Sequence, residues 1–150
     1  MTAYDFKVLK GAAQAIDFYK RAFGAQEGER MVGPDGQSVM HADIKIGDSM
    51  VMLCDEFPQM GNRSPHTLGG TTASIFLYVP DVDSAFKRAV HAGAKAIMPP
   101  ADMFWGDRFG KLVDPFGHEW AMASHKEDLT REEIQKRGAA AMAAMAKKNS

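Results

Sequence analysis

A five-residue pattern occurs twice in this chain, as Phe18-Tyr19-Lys20-Arg21-Ala22 and as Ala85-Phe86-Lys87-Arg88-Ala89. The echo runs on: Ala22-Phe23-Gly24-Ala25 closes the first segment much as Ala89-Val90-His91-Ala92-Gly93-Ala94 closes the second. A spacing of about 70 residues is too long for a stacked solenoid and suits a duplicated module in which a strand and a helix precede a small sheet. A chain written twice has a seam between its halves, and such a seam is a natural place for a ligand.

Local patterns extend the duplication. Tyr4, Phe6 and Val8 alternate with Asp5, Lys7 and Leu9, the period of a half-buried strand, so Asp5 and Lys7 share a face. Ala12, Ala15, Ile16, Tyr19 and Phe23 follow helical spacing, with Gly24 placed for a left-handed cap. Turn signals at Gly33-Pro34-Asp35-Gly36 and Gly47-Asp48 divide the chain after this helix into strands near 26–32, 37–46 and 49–55. The first unit is therefore a βαβββ module over about residues 1–56, and a Pro/Gly-rich linker over about 57–70 joins it to the second. The second module, about 71–125, starts with a strand over 71–79. A helix comes next, signalled by Val82-Asp83-Ser84, striped by Val82, Phe86 and Val90 and stopped by Gly93. Its closing strands fall near 95–98, 108–113 and 118–124. Leu129-Thr130-Arg131-Glu132-Glu133-Ile134 reads as a capping box with a hydrophobic staple, opening a C-terminal helix over about 129–147.

Bulk properties narrow the function. The chain has 150 residues, 45% of them hydrophobic, enough for one domain with a substantial core. A net charge of −1 offers no field for a phosphate backbone, so nucleic acid is not an expected partner. No apolar run is long enough to span a bilayer and no signal-peptide pattern opens the sequence, so no membrane partner is expected. The single cysteine, Cys54, excludes an internal disulfide, and a cytoplasmic location is the expectation. Neither a nucleophile elbow nor a phosphate loop is present.

Ala15-Ile16-Asp17-Phe18-Tyr19-Lys20-Arg21-Ala22-Phe23-Gly24-Ala25, together with Asp114-Pro115-Phe116-Gly117-His118 before the last strand, resembles the vicinal oxygen chelate superfamily. That superfamily includes glyoxalase I, bleomycin- and fosfomycin-resistance proteins and extradiol dioxygenases. Ile46-Gly47-Asp48-Ser49 and Trp105-Gly106-Asp107-Arg108 are similar to its PhnB-like branch. The resemblance covers about residues 4–125. It implies an α+β fold of two βαβββ modules forming a cupped mixed sheet, and a homodimer. In metal-dependent members it also implies one His or Glu ligand from each of four strands. The matching positions here are Asp5, Met52, Ser74 and Ala121, and a thioether, a hydroxyl and a methyl do not replace the hydration of a hard divalent ion. A groove without metal or other cofactor is therefore expected.

Such a groove binds through apolar area, with a few polar groups setting orientation. Phe104, Trp105, Asp107 and Arg108 are the leading candidates: Trp105 offers a stacking face, Arg108 a planar donor, Asp107 a carboxylate and Gly106 room for close approach. An alternative for this segment is a structural hairpin in which Asp107 and Arg108 pair together. Ser74, Phe76 and Tyr78 form the mixed face of the second module's first strand and are assigned to the groove, whereas Ile75, Leu77 and Val79 are assigned to the helix side. Met52 and Asp5 complete the candidate set. His41 and Asp43 share a strand face, His66 and His91 are expected at the surface, and His118 is expected to bond within its hairpin. The expected function is binding of a small organic molecule between the modules. A divalent-metal lyase, isomerase or dioxygenase partly anchored by Asp5, and an interaction module using the C-terminal helix, are the alternatives.

Overall fold

The computed structural model of the protein describes residues 1–148. In module one, strand β1 (Asp5–Leu9) leads to helix α1 (Ala12–Phe23) and strands β2 (Gln26–Val32), β3 (Val39–Ile46) and β4 (Ser49–Asp55). These form a four-stranded sheet in the order β1-β4-β3-β2, with β1 parallel to β4 and the other pairs antiparallel. A short helix between the modules, α2 (Pro65–Leu68), precedes module two. Module two repeats the plan with β5 (Ser74–Tyr78), α3 (Val82–Ala92), β6 (Lys95–Asp102), β7 (Asp107–Val113) and β8 (Glu119–His125), in the order β5-β8-β7-β6. The fold is α+β, built from two βαβββ modules and a C-terminal helix, α4 (Arg131–Lys148). No helix of the described residues is long and apolar enough to cross a membrane.

Local capping chemistry accounts for several helix ends. Gly24 adopts φ 68° and donates its N–H to the Lys20 carbonyl, closing α1 with a left-handed cap. The capping box forms as expected: Thr130 N–H bonds Glu133 Oε2 at 2.8 Å and Glu133 N–H bonds Thr130 Oγ1 at 3.2 Å, one residue before α4 begins. The cap of α3 is Asp81, which accepts from Ser84 N–H, so that helix starts ahead of the Asp83-Ser84 signal. Its buried stripe is Val82, Phe86 and Ala89, and Val90 stays 39% exposed. Strand β6 runs through Pro99 and Pro100 to Asp102. This is tolerated because β6 is an edge strand whose pairing shifts register between Met98 and Ala101.

The segment between the modules is ordered. It contains a 3₁₀ turn (Pro58–Met60) ahead of α2. Glu56 fastens it by accepting from Ser64 N–H at 3.0 Å and Thr67 Oγ1 at 2.6 Å; these bonds, led by Thr67, pull the Glu56 pKa down to about 2.

One core serves both modules. Helix α1 buries Ala12, Ala15, Ile16, Phe18, Tyr19, Ala22 and Phe23, and its aromatic rings meet Trp120 of β8 at 5.3 Å from Tyr19 and 4.4 Å from Phe23. Asp114 ties this seam. Only 4% exposed, it accepts from Tyr19 Oη at 2.8 Å and Trp120 Nε1 at 2.9 Å through one oxygen, and from the Phe116 and His118 amides through the other. The Asp114-Pro115-Phe116-Gly117-His118 motif is thus the joint between modules. His118 also leaves its own hairpin, bonding the Val8 carbonyl at 3.0 Å; a carbonyl only accepts, so Nε2 carries the proton.

Candidate functional site

Strand alternation gives the module-two sheet two unlike faces. Ile75, Leu77, Leu112, Trp120 and Met122 pack into the core, as expected for the aliphatic set of β5. The opposite face presents Ser74, Phe76 and Tyr78 from β5, Asp107 and Phe109 from β7, and His125 from β8, over the small residues Ala121 and Ala123. Phe76 lies 5.0 Å from Tyr78 and 5.6 Å from Phe109, and Trp105 packs edge-on to Phe109 at 5.8 Å. Two of these rings remain open, Phe76 at 47% and Tyr78 at 66% exposure.

Asp107 organises the aromatic face. It is 5% exposed and uses both oxygens: Oδ2 accepts from Tyr78 Oη at 2.9 Å and Trp105 Nε1 at 3.1 Å, while Oδ1 meets His125 Nδ1 at 3.1 Å. Donation to this carboxylate raises the Tyr78 pKa. His125 also reaches Asp128 through Nε2 at 2.8 Å. Both ring nitrogens face acceptors, and only the imidazolium donates from both, so Asp128 first and Asp107 second raise the His125 pKa. The carboxylate is consumed in holding three side chains, which leaves ring faces rather than a free charge to meet a ligand.

The residues singled out in the sequence separate into groups. Trp105, Asp107, Ser74, Phe76 and Tyr78 share the open face. Arg108 does not. Neighbouring residues on a strand point to opposite sides, so Arg108 faces α3, binding Asp83 through Nε at 2.6 Å and Nη2 at 2.9 Å, and Asp102 through Nη1 at 3.0 Å. Asp107 and Arg108 therefore do not pair with each other either. Phe104 is overlaid by α4: a Cβ at Gly138 would come within 3.0 Å of its ring. Gly106, at φ 96°, provides the close approach expected of it, and the approaching group is backbone, since a Cβ there would lie 2.6 Å from the Glu127 carbonyl oxygen.

In module one, Asp5 pairs in register with buried Val51, so it sits on the helix side of β1, whereas Met52 pairs with Phe6 on the open side. Asp5 meets Lys7 at 3.7 Å. The four positions aligned with a metal set are thereby split, with Asp5 on one side and Met52, Ser74 and Ala121 on open sheet faces. Among the described residues, no three His, Cys, Asp or Glu side chains are grouped to hold a metal ion. Module one's open face carries Phe6 stacked on His41 at 6.4 Å, with His41 Nε2 3.1 Å from Asp43. Phe109, at the end of the Phe104–Phe109 segment, and His125 have no site role assigned to them from the sequence. Alternation from Asp107 and from Ala121 and Ala123 would have found both.

The Glyoxalase/Bleomycin resistance protein/Dioxygenase superfamily model matches residues 8–122. An uncharacterized protein of Mycobacterium tuberculosis (strain H37Rv) is 47% identical over 131 residues, covering 85% of this chain and 76% of that protein. TioX from Micromonospora sp. ML1 superposes with a TM-score of 0.65 at 26% identity, over 87% of this chain and all of TioX (100%). A PhnB protein from Bacillus cereus shares the fold with a TM-score of 0.62 at 17% identity, over 83% of this chain and 99% of that one. Two βαβββ modules around one core, each with an open sheet face, define a glyoxalase-fold protein. The chain belongs to the Glyoxalase/Bleomycin resistance protein/Dioxygenase superfamily.

Proposed function

We propose that this protein is a PhnB-like member of its superfamily that binds a planar organic molecule, without a metal, against the aromatic face of module two. The observation that carries this reading is the buried Asp107 carboxylate, which fixes Tyr78, Trp105 and His125 at the edge of an open platform made by Phe76 and Phe109. Rings held in place before a ligand arrives lose little freedom on binding, and exposed aromatic area supplies the affinity. A second copy of the chain closes the groove. Supporting this, Phe6, Met31 and Met50 of module one and Phe76 and Tyr78 of module two remain exposed, and the two sheets are separate four-stranded units within one chain.

Trp105 provides the test. Aromatic and quinone-like compounds should quench its emission on titration, while Trp120, fully buried, serves as the internal reference. Quenching should vanish in Trp105→Phe and weaken in Asp107→Asn. Quenching that persists unchanged in Asp107→Asn would remove the platform from the binding site. Equilibrium sedimentation tests the dimer, and a monomer at all concentrations would refute it.

A further inference from the structure

The free edge of β1 borders a second cavity whose residues are separate from the aromatic platform. We propose that this cleft binds a small organic anion, a carboxylate carried on a short apolar body. The cleft, about 610 Å³, lies between β1 and the inter-module segment; Asp5, Lys7, Arg63, Thr71, Thr72 and His118 supply its polar lining, and its apolar groups include Val8 and Leu68. That volume suits a compact organic molecule rather than a polymer.

Lys7 is the unusual member. Its side chain is only 5% exposed, and its ion pair with Asp5 is stretched to 3.7 Å, beyond hydrogen-bond length, whereas Lys20 holds Glu27 at 2.6 Å on the surface. Its ammonium also lies 4.8 Å above the Trp120 ring, which attracts a cation without neutralising it. Among the described residues the Lys7 ammonium thus has no carboxylate within hydrogen-bond length, and burial pushes its pKa down, with Asp5 and Asp114 acting against the shift. At the exposed rim, Arg63 forms no ion pair among the described residues. His118 adds no charge near neutrality, since burial and the neighbouring Lys7 lower its pKa.

The cleft thus holds two cations against one carboxylate, Asp5, which fits a monoanion better than a dianion. Leu68, 63% exposed, offers apolar contact at the rim of the cleft. A bound carboxylate would supply the close partner that Lys7 lacks, and charge-assisted hydrogen bonds of that kind are the strong ones.

Phenylbutyrate and its uncharged isostere phenylbutanamide are the probes, titrated calorimetrically into the full chain. The acid should bind about tenfold more tightly than the amide, the loss expected when one charged hydrogen bond is removed. Lys7→Met keeps an unbranched apolar side chain over Trp120 and should abolish that preference. Arg63→Ala, at the exposed rim, should reduce it about threefold and serves as the test if Lys7→Met does not fold. In NMR spectra of the wild type, phenylbutyrate should move the His118 ring signals and leave the Trp105 indole N–H in place, which separates this site from the aromatic platform. Equal affinity for acid and amide, an undiminished preference in Lys7→Met or Arg63→Ala, or perturbation of Trp105 in place of His118 would overturn the proposal.

Discussion

The two modules share a plan and spend it differently. Asp55 ends β4 and Ser124 stands at the matching place near the end of β8, and each takes the first amides of its module's helix: Asp55 those of Gly11 and Ala12, Ser124 that of Val82. Asp55 additionally accepts from Val39, and Ser124 passes its own proton to the Val79 carbonyl. The helices differ more. α1 buries seven residues because module two covers it, whereas α3 buries only Val82, Phe86 and Ala89. The open faces differ most, with Phe6, Met50, Met52 and a His41–Asp43 pair on one and an aromatic set locked by Asp107 on the other. One half contributes more of its helix to the shared core, and the other carries an aromatic face tied together by one carboxylate.

The largest effect expected is at the joint. Asp114→Ala would leave the buried Tyr19 hydroxyl and Trp120 indole without their acceptor, and should reduce stability by about 3–5 kcal/mol in urea unfolding. Two separate unfolding transitions in that variant would mean the modules stand alone, and the single-core description would fail. Next come the matched caps. Asp55→Ala should cost about 2–3 kcal/mol and Ser124→Ala about 1–2, since the carboxylate serves three amides and the hydroxyl one. Equal losses would erase this difference between the halves.

Two neighbouring residues on β7 sharpen the contrast between surfaces. Asp107→Asn should lower stability by about 1–3 kcal/mol and shift Trp105 emission, because one acceptor oxygen becomes a donor facing Tyr78, Trp105 or His125. Arg108→Ala should lower stability by only about 0–1 kcal/mol, as its pairs with Asp83 and Asp102 are partly solvated, and should leave aromatic-ligand quenching unchanged. A loss of quenching in Arg108→Ala would return that residue to the groove.

Period-two reasoning makes much of this legible and also marks where sequence alone stops. The mixed face of β5 is readable because Ser74, Phe76 and Tyr78 contrast so sharply with Ile75, Leu77 and Val79. Arg108 groups with Asp107 only by adjacency in sequence, and adjacency on a strand places the two on opposite faces. Asp5 is likewise misplaced when set in the groove, because its register with Val51 turns it toward the helices. The role of Asp114 lies beyond any local pattern, since its partner Tyr19 is 95 residues away and the contact exists only once the modules meet.

The smallest expected effect is protonic, and it divides the seam from the platform. His125, between Asp128 and Asp107, has its pKa raised above 6.5, so the stability it contributes is complete below pH 6.5 and is lost as pH rises through the elevated folded value. His118 behaves oppositely: burial and Lys7 lower its pKa, so the folded state is penalised as pH falls below 6.5. These opposing slopes partly cancel in a global unfolding curve, and resolved NMR titrations of the two rings are the proper measurement. The His125 midpoint should lie above 6.5 and fall in Asp128→Asn, with Trp105 emission tracking it through the shared Asp107 carboxylate. The His118 midpoint should lie below 6.5 and stay there in the same variant. Two histidines titrating together would mean that the platform is not electrostatically distinct from the seam, and the division of labour between modules would lose its chemical basis.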